Sequence, residues 1–536
     1  MLSMFATACW LLLLYTGVET RTKAAAVRPL GGYERLLSRQ TPGTRQLSLS
    51  HGSAYIVDVT LDGEALVQAI ARTMARHPLL RARIVVTDAQ PDAPEWAYCD
   101  EGVTDLARRI VSNSQAAGSS EQFSTQWRRE LDASLNGAQF PEAGPLWRLV
   151  HIPAANQSAL VFTFNHAIDD QKSVNIVVRD LLHEYGRAQA AQLAESLPFP
   201  PSVEEAVAPG ESPTGNTLRW ALFQLLNALR GPVMIPQLVA ENLRADPTKF
   251  AALYANPDTR STFVEPFTLP SSVATGLRAA CRARNNTVTS ILAAAMLCVT
   301  SAAIHNRGRE GGVRRGDRDA LLRFLLSVDL RPYGADKGSS GSGSDWAGGT
   351  VACAAGAVDF NVPVPSAVAA YGSSKATAAF SSLAAEDRVA LHENLWNLAA
   401  RCRNDAAEVI QYAKFVPESV RLFGLGMKYA KVLQVVELDA KSRGSLGRGY
   451  SCGVSNMGLV SFAQSGDKIR VREAFYGTSH ARNGVLCQLS CMTTGAVEGK
   501  EEFCGALQFT DPLITRDQGG EIRRALCDIL TEISQS

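Results

Sequence analysis

Residues 159–182 read ALVFTFNHAIDDQKSVNIVVRDLL. Leu160, Phe162 and Phe164 alternate with Val161, Thr163 and Asn165, the period-two pattern of a strand with two different faces. From Val174 the period lengthens, and Val174, Val177, Val178, Leu181 and Leu182 share one face of a helix. His166-Ala167-Ile168-Asp169-Asp170 fills the junction between them. A strand that gives way to a helix is a unit of layered α/β or α+β folds. At such a junction an imidazole and two carboxylates stand on a rigid element and can project into a cleft.

The chain on either side has the same mixed character. Residues 53–61, SAYIVDVTL, alternate as a strand and run into DGEALVQAIARTMARHP, where Asp62 is placed as an N-cap and Leu66, Ile70 and Met74 form an apolar stripe. LLRARIVV (79–86) and LWRLVHI (146–152) are further extended segments. Near residues 190–215 Pro, Gly, Ser and Glu dominate, which reads as a linker or surface loop. The apolar LRWALFQLLNALRGPVMIPQLV (218–239) then reads either as a helix between domains or as one lying on a membrane surface.

A second unit begins near residue 260. NNTVTSILAAAMLCVTSAAIH (285–305) is a buried helix by pattern, and ALLRFLLSVDLRPY (320–333) is a strand ending in a turn at Pro332. KGSSGSGSDWAGG (337–349) is a low-complexity loop. GYSCGVSNMGLV and GALQFTDPLI are strands, and QGGEIRRALCDILTEIS is an amphipathic C-terminal helix. The expected organisation is an apolar extension over 1–27, a first domain over 28–205, a linker with helices over 206–259 and a second domain over 260–536.

Length and composition bound the function. At 536 residues, with 46% apolar and 20% charged residues, the chain can build more than one large core. The formal net charge is +1 and no Lys/Arg block is interleaved with aromatics, so nucleic acid is not the expected partner. The eleven cysteines contain no CxxC pair, and the loose cluster Cys487, Cys491 and Cys504 has no histidine pair at zinc spacing. Scattered thiols point to a reducing compartment. The apolar stretch MFATACWLLLLYTGV (4–18) is followed by Arg21, Lys23 and three alanines. A cleaved secretory signal, an uncleaved anchor and an extension without a role all stay open for it.

Chemistry concentrates on His166. Imidazole suits proton abstraction near neutral pH, and a carboxylate four residues later can brace the turn by pairing with a distant basic residue. Of the eight histidines only His166 has an aspartate at +4. By spacing alone the pair reads equally as a satisfied histidine at a strand end followed by a helix-capping Asp170.

FNHAIDDQKS resembles the H-x-x-x-D-(G)-x-S signature of the coenzyme-A-dependent acyltransferase superfamily, which includes alcohol acetyltransferases, plant BAHD enzymes, polyketide-associated acyltransferases and condensation domains. LGGYERLLSRQ (30–40), ARHPLLRARIV (75–85), SVDLRPY (327–333) and GVSNMGLV (453–460) resemble further stretches of the superfamily in the same order, closest to the alcohol acetyltransferase branch. The resemblance implies an α/β fold of two chloramphenicol-acetyltransferase-like mixed-sheet domains with an active-site tunnel between them. It implies His166 as general base, Asp170 as structural carboxylate and Arg331 as its ion-pair partner. Ser173, Ser455 and Asn456 would face substrate, although Ser455 and Asn456 read equally as residues that close a turn. The implied reaction is O-acyl transfer, most simply acetyl transfer, from acyl-CoA as co-substrate to a small-molecule alcohol, with no bound cofactor and no metal. The enzyme would be a monomer, cytosolic or on the cytosolic face of the ER membrane, with peripheral membrane contact.

Three departures qualify the match. Asn165 replaces the first histidine of condensation domains, and the plant DFGWG motif is absent. Gln171 occupies the position usually held by glycine, where close backbone approach or positive φ is at issue. The alternatives are an amide-forming condensation-type enzyme acting on an amine, and a non-catalytic member of the superfamily acting as a binding protein.

Overall fold

The computed structural model describes residues 26–38, 49–87, 90–136, 140–141, 143–187, 195–207, 237–305, 320–334, 349–365, 368, 385–411, 445–462, 469–480, 482–495 and 501–535. The apolar stretch 4–18, the segment around Trp220 and Phe223 and residues 337–348 of the Gly/Ser loop lie outside them.

In chain order the strands are β1 (Ala26–Pro29), β2 (Ser50–Val57), β3 (Ala82–Thr87), β4 (Gln90–Tyr98), β5 (Val111–Asn113), β6 (Trp147–Ala154), β7 (Gln157–Asn165), β8 (Ser261–Leu269), β9 (Ala320–Asp329), β10 (Ala355–Val364), β11 (Arg448–Val460), β12 (Val471–Thr478), β13 (Gly484–Thr494) and β14 (Glu502–Asp511). The helices that build the cores are α1 (Gly63–Arg76), α2 (Ser120–Asn136), α3 (Gln171–Gly186), α4 (Ser271–Ala283), α5 (Val288–His305), α6 (Ala385–Gln411) and α7 (Arg516–Ile533).

The opening stretch forms the centre of a five-stranded sheet ordered β12-β2-β7-β6-β5. β7 runs antiparallel to both β2 and β6. Its alternation has a direct packing meaning, because both faces are covered. Leu160, Phe162 and Phe164 share one core with Leu66, Ile70 and Met74 of α1 and with Val174, Val177 and Leu181 of α3. Ala159 and Val161, on the opposite face, share another with Phe123, Trp127 and Leu131 of α2. Burying each large apolar side chain is worth about 1.5–3 kcal/mol, and a one-residue slip would exchange the two faces. The register of β7, and with it the position of His166, is fixed by that penalty. α1 starts where its sequence directs, with the Asp62 carboxylate accepting from the Ala65 amide.

A six-stranded mixed sheet, ordered β10-β9-β11-β13-β14-β8, carries the second core. α5 lies against it, with every residue from Ile291 to Val299 buried. A helix apolar on all sides belongs in an interior, and α6 and α7 cover this one. Among the described residues no single helix is long and apolar enough to cross a membrane; α4 and α5 meet that test only as a pair bent by 103°. β1, β4 and β3 form a small third sheet.

The two main sheets do not divide at one point in the sequence. β12 arises within the 260–536 segment yet pairs along β2, from Val471 opposite Val57 to Thr478 opposite His51. Phe475 of β12 stacks on Trp127 of α2, centroids 5.1 Å apart and planes within 4°.

Candidate active site

β7 ends at Asn165, whose side-chain amide donates to the Ser38 carbonyl and whose Oδ1 accepts from the Ala167 amide. The imidazole of His166 follows at the first position past the strand, where its backbone amide still donates to the Leu49 carbonyl. Its Nδ1 lies 2.8 Å from the Asp169 carbonyl oxygen, so Nδ1 carries a proton and, in the neutral ring, Nε2 holds the lone pair. Burial works to discharge this ring. Its contacts with Cys353 and then with the Asp169 side chain outweigh burial and raise its pKa well above the ordinary histidine value.

Asp170 combines both roles that its position suggests. Its Oδ1 accepts from the Ser173 amide at 2.8 Å, capping α3. The same carboxylate takes a bidentate pair of bonds from Arg331, 2.9 and 3.0 Å long, and a further bond from the Ala354 amide at 2.8 Å. Burial pushes the Asp170 carboxyl up, but the Arg331 guanidinium and these donors hold it below the usual carboxylate range. Arg331 also reaches Asp329 Oδ1 at 3.0 Å, Ser173 Oγ at 2.7 Å and the Ala352 carbonyl at 3.0 Å. The turn below His166 is thus tied to two separate segments of the second half of the chain. Ser173, expected to face substrate, is fully buried in this brace, donating to the Ala352 carbonyl and accepting from the Ala352 amide. Its hydroxyl is consumed by structure. Cys353, between the two tethered alanines, sits beside His166 as a thiol whose pKa burial raises.

A cavity of about 630 Å³ lies between the two sheets, and His166 lines it. That volume falls in the usual range for small-molecule sites. β9 and β11 pair only over Phe324–Leu326 and Cys452–Val454. Beyond these positions Ser327 and Val328 line one side of the cavity, and Ser455, Asn456, Met457 and Leu459 line the other. Consecutive residues of a regular strand cannot all face one side. Here a break in register between Asn456 and Leu459, with Gly458 at φ +68°, re-aims them. Asn456 Oδ1 accepts from the Gly458 amide and its Nδ2 donates to Thr289 Oγ1, so it closes the bulge while lining the cavity. The Tyr476 hydroxyl lies 2.7 Å from the Ser455 carbonyl oxygen and 3.1 Å from its Oγ. His480 completes the wall, its pKa lowered to about 3 by burial, Arg448 and His166.

Gln171 does not occupy a strained position. It is the first residue of α3, and among the described non-glycine residues only Asn285 and Leu446 have positive φ. Its buried amide forms a hub, with Nε2 donating to the Tyr55 hydroxyl and to Asn175 Oδ1 while Oε1 accepts from Ser53 Oγ. Oε1 also lies 3.1 Å from Nε2 of His51.

His51 had no signal in the sequence: it lies two residues before the stretch read as a strand, 53–61, and the structure starts that strand at Ser50. Its Nδ1 lies 2.5 Å from Asp169 Oδ2, and its ring is centred 5.3 Å from that of His166. His51, His166 and Asp169 bring donor atoms within 4.8 Å of one another. Two ligands of one zinc ion, each bonded at about 2.0–2.2 Å and spread tetrahedrally, stand more than about 3 Å apart. The 2.5 Å contact therefore fits a shared proton better than a shared cation.

No protein-family model and no curated protein matches the chain. Solved structures do. A trichothecene 15-O-acetyltransferase, TRI3, from Fusarium sporotrichioides matches with TM-score 0.61 and 12% identity, over 94% of this chain and 95% of that one. The condensation domain of the monacolin K polyketide synthase MokA matches with TM-score 0.59 and 12% identity, over 96% and 98%. Polyketide synthase associated protein 5 from Mycobacterium tuberculosis matches with TM-score 0.54 and 13% identity, over 95% and 99%. The chain therefore has the two-domain mixed α/β fold shared by condensation domains and acyltransferases of this kind.

Proposed function

We propose that this protein is an acyltransferase that moves an acyl group, most simply acetyl, from acyl-CoA to the hydroxyl of a small molecule. The observation that carries the reading is the His166 tautomer. Nδ1 is held by the Asp169 carbonyl, which leaves Nε2 as the basic nitrogen of the neutral ring, and that ring lines the cavity. A thioester is already activated, so the protein need only remove the acceptor proton as the oxygen attacks the carbonyl carbon. The C–O bond forms, the C–S bond breaks, and His166 returns the proton to the departing thiolate. Asp170 and Arg331 touch neither reactant in this scheme; they hold the turn that aims the ring.

The fold is shared with condensation domains, but Asn165 ties the strand end to Ser38 and Ala167. That arrangement favours a single-histidine acyltransferase over amide formation. The Gln171 hub fills its position without strain, which favours catalysis over a binding-only role. The same reading has the protein act as a monomer facing the cytosol, where acyl-CoA is available, with peripheral membrane contact through its apolar segments.

The test is release of free CoA from acetyl-CoA and longer acyl-CoAs across a panel of alcohols, with products identified by mass spectrometry. His166→Ala is expected to lower kcat by roughly 10²–10⁴-fold while circular dichroism is unchanged. A variant that keeps nearly full transfer would remove His166 from the mechanism.

A further inference from the structure

We propose that His51 is held as an imidazolium between Asp169 and Gln171 and acts as a positioning residue for His166. The inference rests on the reading of His166 as the base, and it adds a second histidine to that site.

The protonation follows from the acceptors on each side. Gln171 Nε2 already donates twice, to Tyr55 and Asn175, which turns Oε1 toward Ser53 and His51. A carbonyl oxygen only accepts, so the hydrogen bond at 3.1 Å requires a proton on His51 Nε2. On the other side one proton lies between Asp169 Oδ2 and His51 Nδ1, and imidazole is the more basic of the two groups, so the carboxyl is the ionised partner; burial opposes this, but His51 and His166 lower its pKa. A carboxylate also only accepts, so the 2.5 Å contact requires a proton on His51 Nδ1. Both ring nitrogens of His51 are then protonated, and a buried cation faces a buried anion.

This pair bears on His166 in two ways. Asp169 is the residue whose carbonyl orients His166 Nδ1, so pinning its side chain pins the base. The free oxygen, Oδ1, accepts no hydrogen bond and lies 3.6 Å from His166 Nδ1, where it can steady the imidazolium formed after proton abstraction. The His51 charge opposes that proton electrostatically, so it limits the rise that Cys353 and Asp169 impose on His166. The other titratable groups around the two rings are Cys353 and His480 beside His166, and Tyr476, whose ring meets His51 edge-on at 6.1 Å. Gln171, at the position that the resembled signature usually fills with glycine, thereby gains a purpose: it supplies the acceptor that keeps His51 charged.

Two variants separate position from charge. His51→Asn keeps a donor toward Asp169 but removes the charge, and His51→Ala removes both. With histidine labelled by nitrogen-15, the imidazole assigned to His51 by its loss in His51→Asn is expected to carry a proton on each nitrogen in the wild-type protein at pH 7.5. The pH at which His166 takes up its second proton should rise in His51→Asn, because a neighbouring cation has gone. The acidic limb of kcat should move up with it, and His51→Ala should lower kcat by up to about 10²-fold, the cost of a misaimed group, with KM little changed. A His51 that carries a single proton, or a His166 titration unmoved by His51→Asn, overturns the proposal. These magnetic resonance measurements need no substrate. A doubly protonated His51 in a protein that transfers no acyl group would reject the proposed function and leave this inference standing.

Discussion

At Asp170, one carboxylate accepts four hydrogen bonds: from the Ser173 amide, from two guanidinium nitrogens of Arg331 and from the Ala354 amide. Asp170 and Arg331 are both nearly inaccessible to solvent, so removing one leaves the other as an uncompensated buried charge. Asp170→Ala or Arg331→Ala is expected to lower unfolding free energy by roughly 3–5 kcal/mol in urea titrations. The double variant should cost clearly less than the sum, because the second deletion removes an already orphaned group. Additive losses would mean that the pair is not a unit. The pH dependence has a definite sign. Arg331 depresses the folded-state pKa of Asp170, so its contribution is full above the unfolded value near 4 and is lost as pH falls through the folded value. Asp170→Asn should flatten the loss of stability below about pH 4. In the proposed mechanism His166 has the opposite sense: its raised pKa means that the ring is captured as pH falls, so kcat should climb through a limb lying above the ordinary histidine value of about 6.5.

At the scale of elements, the bulge in β11 shapes the cavity wall. Gly458 has φ +68°, and a Cβ there would meet no atom within 4 Å. Gly458→Ala should therefore cost only the backbone penalty, roughly 1–2 kcal/mol. If the strand relaxes to regular pairing, Met457 and Leu459 change the face they present. We expect KM for the acceptor to rise while kcat stays within about twofold, the pattern of lost uniform binding. Lost stability with an unchanged KM would show that the bulge does not set the wall. This bulge also marks a limit of sequence reading. The periods of β7, α1, α3 and α5 were legible because burial imposes them, and the Asp62 cap because its chemistry is local. Asp170 and Arg331 became legible as partners only through the motif set, since nothing in spacing links positions 161 apart. β1, β4 and β12 escaped: β1 has four residues, and β4 and β12 take their place from partners far away in sequence. His51 escaped for a related reason. On a buried strand a histidine looks like any satisfied core polar group until its neighbours are known. Gln171 was read as a possible defect because a glycine position carries a conformational expectation, whereas the turn here never uses positive φ.

At the scale of the whole molecule, β12 joins the two halves of the chain alongside the ties from Asp170 and Ser173 to residues 331–354. That strand leaves the second half of the chain, completes the first sheet beside β2 and places Phe475 on Trp127. Phe475 shares a core with Ile56 and Val161 of the first sheet and with Val264, Cys504 and Ala506 of β8 and β14. His480 follows directly, and its backbone amide donates to Thr262 Oγ1 at 2.9 Å. The cavity wall and the bridge between sheets are therefore parts of the same segment, and loosening one should loosen the other. Phe475→Ala removes a buried aromatic ring and is expected to cost roughly 3–5 kcal/mol. If β12 couples the halves, that loss lowers a single transition reported identically by tryptophan fluorescence and by far-ultraviolet circular dichroism. Tryptophans on both sides follow it: Trp96, Trp127 and Trp147 in the first half and Trp396 in α6. A variant in which the two probes separate into successive transitions would show that each half folds alone and that β12 is only docked between them.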